Sequence, residues 1–182
     1  YFSIAVFDDI YNQVVTVNGV SKAFAMTGWR LGYIGAPEWI AKACTKIQGQ
    51  FTSGASSISQ RAALAAVSAN PVVVNEMKSA FLERRNFMID QLNSIPGMKI
   101  NQPQGAFYVF PDVSEFFGKS VGDKLINNAD DLCLYLLEEA KVALVTGNAF
   151  GSPSCIRISY AASMKELSEA MLRISKAINQ LK

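Results

Sequence analysis

Residues 14–37 constrain the fold of this chain more than any other stretch of its sequence. The stretch begins with a β-branched apolar run at 14–17, which is typical of a buried strand. A second apolar run, 31–36, ends at Pro37, because proline cannot continue a strand ladder. The two runs predict two strands of an α/β sheet, joined by a short connection at the end of that sheet.

Two lone cations, Lys22 and Arg30, lie in this connection. Asn18-Gly19 is a turn signal that ends the first run, so Lys22 follows one strand and Arg30 lies at the start of the next. Sheet ends are where α/β folds place their ligands, which makes the two cations candidate ligand-binding residues. On spacing alone, ordinary surface charges are an equal alternative.

Residues 19–32, GVSKAFAMTGWRLG, closely resemble the lysine signature of the fold type I pyridoxal-phosphate (PLP) aminotransferases, the aspartate aminotransferase family of class I and II. The resemblance implies that Lys22 forms the internal Schiff base with the cofactor aldehyde, that Arg30 holds the cofactor phosphate, and that Ser21 belongs to the cofactor site. An amine forms an imine only when it is neutral, and a guanidinium binds a phosphate with two parallel bonds. The sequence departs from the family at Gly19, where many members have a serine that touches the phosphate.

A second informative stretch is 155–160, CIRISY. Strand alternation puts its apolar side chains on one face and Arg157 with Ser159 on the other. An arginine within an apolar strand is costly unless it is paired, so the pattern predicts either a salt bridge within the domain or an anion site for a substrate. TGNAFG followed by IRISYA resembles the C-terminal element of the same family, and this implies that Arg157 binds the substrate α-carboxylate.

The resemblance also implies the domain organisation. The chain would be the C-terminal part of a longer enzyme, with α/β architecture. Residues 1–75 would be the end of the large PLP-binding domain, with a parallel-type piece of sheet, and 76–182 an α+β small domain that begins with a bridging helix. Phe107, Tyr108 and Phe110 are predicted to be core and sheet residues rather than a cofactor stack.

Local residue patterns predict several further elements. Residues 38–47 and 58–67 are expected to be helices, and 98–101 a strand. Ser163 and Glu166 have the spacing of a capping box at the start of the final helix.

One motif near the start, FDDIY, looks like an aspartate–x–x–tyrosine element of the family that contacts the cofactor. In the family that element lies well upstream of the lysine, whereas here it is only a short distance from Lys22. We therefore predict that Asp8, Asp9 and Tyr11 are surface residues of a loop or short helix outside the site.

Composition excludes several other functions. Half of the residues are hydrophobic and 18% are charged, which indicates a globular chain. Histidine is absent, so Ser-His, Cys-His and His-metal chemistries are excluded, and the three cysteines have no metal-ligand spacing; we predict no metal site and reduced thiols in a cytoplasmic protein. The net charge of +2 without a basic cluster argues against nucleic acid, and no apolar run approaches the length of a membrane span.

By resemblance, the expected reaction is transamination between an α-amino acid, aspartate or similar, and a 2-oxo acid, in a homodimer. Other enzymes with the same fold and lysine, such as C–S lyases, decarboxylases and racemases, are the alternative, as is an inactive fragment. Because the upstream cofactor anchors of the family lie outside this chain, we expect the chain alone to bind no PLP and to self-associate through its large-domain remnant.

Overall fold

The computed structural model describes residues 2–182. The chain divides into two compact units, 1–75 and 76–182, which are described separately below. Their assignment to the large and small domains of an aminotransferase stays a prediction. Both units combine helices with β-strands, which is consistent with the expected α/β class.

The first unit contains two strands, β1 (Thr16–Gly19) and β2 (Gly32–Gly35), and two helices, α1 (Glu38–Phe51) and α2 (Ser57–Ser68). Short 3-10 turns lie at Ile4–Val6, Tyr11–Gln13, Thr27–Trp29 and Pro71–Val74. The predicted helices at 38–47 and 58–67 are both present, and the first extends about one turn further, to Phe51.

The strand pair of the first unit corrects one prediction. β1 and β2 are antiparallel, with Thr16 opposite Gly35 and Gly19 opposite Gly32, so the expected parallel-type sheet piece is wrong for these strands. The physical reason is the connection: parallel neighbours need a long crossover, usually an α-helix, whereas residues 20–31 supply only turns.

Very little of the first unit is fully buried. Among its described residues, Val20 and Ala63 are the hydrophobic residues with almost no exposed surface. Large apolar side chains on both strands and both helices are exposed, among them Val17 at 75% and Phe51 at 84%. Apolar surface of this extent is typical of a face that packs against further polypeptide.

The second unit begins with a long helix and contains two small sheets. Its helices are α3 (Asn75–Asn93), α4 (Ala129–Tyr135), which continues as a π-helical turn at Leu136–Ala140, and α5 (Met164–Ile178). Its strands are β3 (Tyr108–Val109), β4 (Ser120–Val121), β5 (Lys124–Leu125), β6 (Val145–Thr146) and β7 (Ile156–Ser159). The capping box predicted at Ser163 and Glu166 is confirmed at the start of α5.

Strand β7 is the central element of this unit. It lies between β3 and β6, antiparallel to both. The predicted alternation is confirmed, because Ile156, Ile158 and Tyr160 are buried. They join one core with apolar residues of α3, α4 and α5, and burial of each such side chain contributes about 1.5–3 kcal/mol. The opposite face of β7 is left with Arg157 and Ser159.

Asp112 joins the chain segments beside this sheet. It forms antiparallel bridges with Lys99 and Cys155, and the strand predicted at 98–101 is reduced to the first of these bridges. Its carboxylate accepts hydrogen bonds from the backbone N–H and the hydroxyl of Ser114, at 2.9 and 2.6 Å, and from Ser154 Oγ at 2.7 Å. These bonds, those from Ser114 first, hold the pKa of Asp112 below its usual value.

The lowered pKa predicts a loss of stability in acid. Because the folded state binds the Asp112 proton more weakly than the unfolded chain does, the contribution is complete above the ordinary aspartate pKa of about 3.9 and disappears as pH falls through the lower folded value. Asp112→Asn should therefore reduce the urea midpoint at pH 7 and flatten its decline below about pH 4. The matched control is Asp123→Asn, at an exposed position, and an unchanged decline in Asp112→Asn would contradict this account.

Candidate functional site

The connection between β1 and β2 brings the predicted cofactor residues close together along the chain. Its ends are joined by the pairing of Gly19 with Gly32, so Lys22 and Arg30 each lie within three residues of the same closed strand end. A Cβ atom at Gly32 would lie 3.2 Å from the carbonyl oxygen of Asn18. Glycine therefore permits the close backbone approach that closes this connection.

The backbone of the connection is folded by local contacts. Val20 is buried and its carbonyl accepts the N–H of Phe24 at 3.3 Å, while the Lys22 carbonyl accepts the N–H of Ala25 at 3.2 Å. Ala25 and Arg30 both adopt left-handed backbone, with φ of 53° and 51°. For non-glycine residues this conformation costs about 1–2 kcal/mol, and such strain concentrates at ligand sites.

The side chains on this connection carry functional groups that suit part of PLP. Lys22 and Arg30 are exposed and Ser21 is half-buried. Arg30 Nη1 donates to the carbonyl of Thr27 at 2.7 Å, which uses one of the five guanidinium N–H donors, and within residues 2–182 Arg30 forms no ion pair. A primary amine, a guanidinium and a hydroxyl on one closed connection fit an aldehyde with a phosphate group.

Arg157, in the second unit, has unusual surroundings. It is half-buried, and its guanidinium carbon lies 4.6 Å from the ring centre of Phe150 and 5.4 Å from that of Tyr108. Among the residues that the structure describes, the Arg157 side chain makes no hydrogen bond and no ion pair. The salt bridge considered from the sequence is therefore not found in this part of the chain, and the geometry favours the anion site.

The two aromatic neighbours of Arg157 were not recognised from the sequence. Tyr108 was predicted as a core and sheet residue, yet its cross-strand partner is Ser159, which places it on the face of β7 that carries Arg157. Side-chain alternation along β3 and β7 would have predicted this position of Tyr108 if the pairing of Tyr108 with Ser159 had been known. Phe150 lies on the 3-10 turn Gly147–Phe150 and had no periodic signal. Phe107 packs against the core, as predicted.

Backbone contacts hold the turn that carries Phe150. The Gly147 N–H donates to the carbonyl of Cys155 at 2.7 Å, and the Gly147 carbonyl accepts the N–H of Ser152 at 3.0 Å. A Cβ atom at position 147 would overlap the carbonyl oxygens of Ser152 and Cys155, so only glycine fits there. Asn148 Nδ2 also donates to Asp130 at 2.9 Å and ties the turn to α4.

The remaining sequence predictions concern residues outside these sites. Asp8, Asp9 and Tyr11 are exposed, in a turn and a 3-10 turn, as expected. Within residues 2–182, no three His, Cys, Asp or Glu side chains are arranged to hold a metal ion. None of the described helices is both long enough and apolar enough to cross a membrane.

Comparison with known proteins identifies the class to which this fold and these residues belong. Residues 1–174 match the family described as aminotransferase class I and II. The chain therefore belongs to the class I and II aminotransferase family, whose cofactor is PLP.

The names of individual relatives describe a narrower activity than the family description does. The chain is 52% identical to a bifunctional aspartate aminotransferase and glutamate/aspartate-prephenate aminotransferase of Petunia hybrida, over 99% of this chain and 38% of the relative. It is 49% identical to an aspartate aminotransferase of Pinus pinaster, over 97% of this chain and 37% of the relative. The crystal structure of the Rhizobium meliloti aspartate aminotransferase superposes with a TM-score of 0.96 at 43% identity, over all of this chain and 46% of that one. The family match and these identities establish the family, whereas the coverage does not establish the predicted placement in its C-terminal part.

Proposed function

We propose that this chain supplies part of the active site of a PLP-dependent enzyme that exchanges an amino group between an α-amino acid and a 2-oxo acid. The observation that carries the proposal is the closed β1–β2 connection, which presents Lys22 and Arg30 beside one strand end. The family match supports the same reaction class. When bound, the cofactor acts as the electron sink that stabilises charge developing at the substrate α-carbon.

Each of the three cofactor residues that we propose in the first unit has a separate role. Lys22 would hold the cofactor through Nζ and, as a neutral amine, move the proton from the substrate α-carbon. Arg30 would bind the phosphate with the guanidinium donors that Thr27 leaves available, and the Ser21 hydroxyl would add a further donor. The left-handed backbone at Arg30 follows from its place between the 3-10 turn and β2, so the side chain is aimed by the connection itself.

Arg157 would bind the α-carboxylate that amino-acid and 2-oxo-acid substrates share. None of the described residues has a fully buried, unpaired side-chain nitrogen or oxygen, so the Arg157 donors reach solvent and are available to a ligand. Two parallel N–H bonds to a carboxylate fix the orientation of the substrate as well as its position.

The substrate that we propose is aspartate or a similar amino acid. The names of the Petunia and Pinus relatives and of the Rhizobium structure all include aspartate aminotransferase activity. We also propose a cytoplasmic homodimer, which the free thiols of Cys44, Cys133 and Cys155 support as to compartment.

The proposal predicts that Lys22 is essential. In the full-length enzyme, Lys22→Ala should lower turnover in transamination by more than about 100-fold, because proton transfer by a positioned base is lost. Lys46→Ala, at an exposed lysine of α1, is the matched control and should keep normal turnover. Circular dichroism should show the same fold for both variants, and near-normal turnover of Lys22→Ala would refute the assignment.

A second prediction concerns Arg157. Arg157→Lys should raise the KM for every amino-acid and 2-oxo-acid substrate by about 10- to 100-fold and lower kcat, because a bidentate fork is replaced by a point charge. Arg173→Lys, which changes an exposed arginine paired with Glu169 on α5, is the control. An effect confined to acidic substrates would show that Arg157 binds the side-chain carboxylate of the substrate instead of its α-carboxylate.

A third prediction concerns the chain alone, which we propose binds no PLP and self-associates through its first unit. Replacing Val17 and Phe51 together by lysine should shift the chain toward monomer in sedimentation velocity, because both apolar side chains are exposed. Leu172→Lys changes a residue that is 66% exposed in the second unit and should leave association unchanged. An unassociated wild-type chain would contradict this prediction.

A further inference from the structure

We infer that Phe150 and Tyr108 are positioning residues that hold the Arg157 guanidinium in the orientation that binds a substrate carboxylate. The inference deepens the proposed function and rests on it. The observation behind it is the pair of ring contacts, at 4.6 and 5.4 Å, that the Arg157 guanidinium makes within the described chain. Both distances are within the range in which an aromatic ring attracts a cation.

Aromatic rings suit this task better than a carboxylate does. A ring attracts the guanidinium through its π-face and takes none of the N–H donors at the edge of the group. A protein carboxylate at Arg157 would occupy the same donors that a substrate needs, and it would have to be displaced in every turnover. The two rings thus restrain the cation while its donors stay available.

The rings are themselves held in place. Tyr108 belongs to β3, directly beside β7. Phe150 makes an edge-to-face contact with Phe110, with ring centres 6.0 Å apart and an interplanar angle of 85°. The turn that carries Phe150 is tied down through Gly147 and Asn148. A long arginine side chain loses much rotamer freedom on binding, and rings fixed in this way remove part of that loss before the substrate arrives.

Phe150 is the better residue to test because it is 49% exposed and lies outside the hydrophobic core, so its truncation should leave the fold intact. In the full-length enzyme, Phe150→Leu should raise the KM for amino acid and 2-oxo acid alike by about 3- to 30-fold, with a smaller change in kcat. The inhibition constant of propionate, a carboxylate without an amino group, should rise by the same factor. Phe150→Tyr keeps the aromatic face and should restore wild-type values.

The matched control removes a ring from a different arginine. Phe81 lies under Arg84 at 5.4 Å, and Phe81→Leu should leave both KM and the propionate constant unchanged. If Phe150→Leu lowers only the melting temperature, or if Phe150→Tyr does not restore binding, the inference is overturned while the proposed function stands. A wild-type enzyme without transaminase activity would overturn both.

Discussion

The second unit depends on the antiparallel pairing of β7 with β3 on one side and β6 on the other. Because side chains alternate across a strand, this pairing sends Ile156 and Ile158 into the core and leaves Arg157 on the opposite face. The backbone hydrogen bonds that hold β7 in the sheet therefore fix both the buried isoleucines and the position of Arg157 on the opposite face. A slip of one residue in register would bury Arg157 and expose the isoleucines, so the stability of the unit enforces the position of the arginine.

The first unit positions its cations by a different means. It has almost no buried core among its described residues, so packing contributes little to the placement of Lys22 and Arg30. Their placement comes from the closed strand pair and from a connection that is held by backbone hydrogen bonds and left-handed residues. The large exposed apolar surface agrees with a chain that spans only about two fifths of the length of its relatives.

Local patterns were the reliable part of the sequence. The helices α1, α2 and α5, the capping box at Ser163 and the alternation of β7 depend on neighbours within a few residues, and all are found in the structure. The lysine motif led to the family, which the comparisons establish. Predicted strand lengths were less reliable, as at 98–101. A strand extends only where a partner strand pairs with it, and that partner is distant in the chain.

The sequence by itself determined which segments are helical, which face of β7 is apolar and to which family the chain belongs, since each follows from local spacing or from a long motif. Only the tertiary structure decided that β1 and β2 are antiparallel, because either direction satisfies the same apolar runs. It also decided what surrounds Arg157. Tyr108 and Phe150 reach the guanidinium from a neighbouring strand and a separate turn, and no spacing along the chain records that meeting.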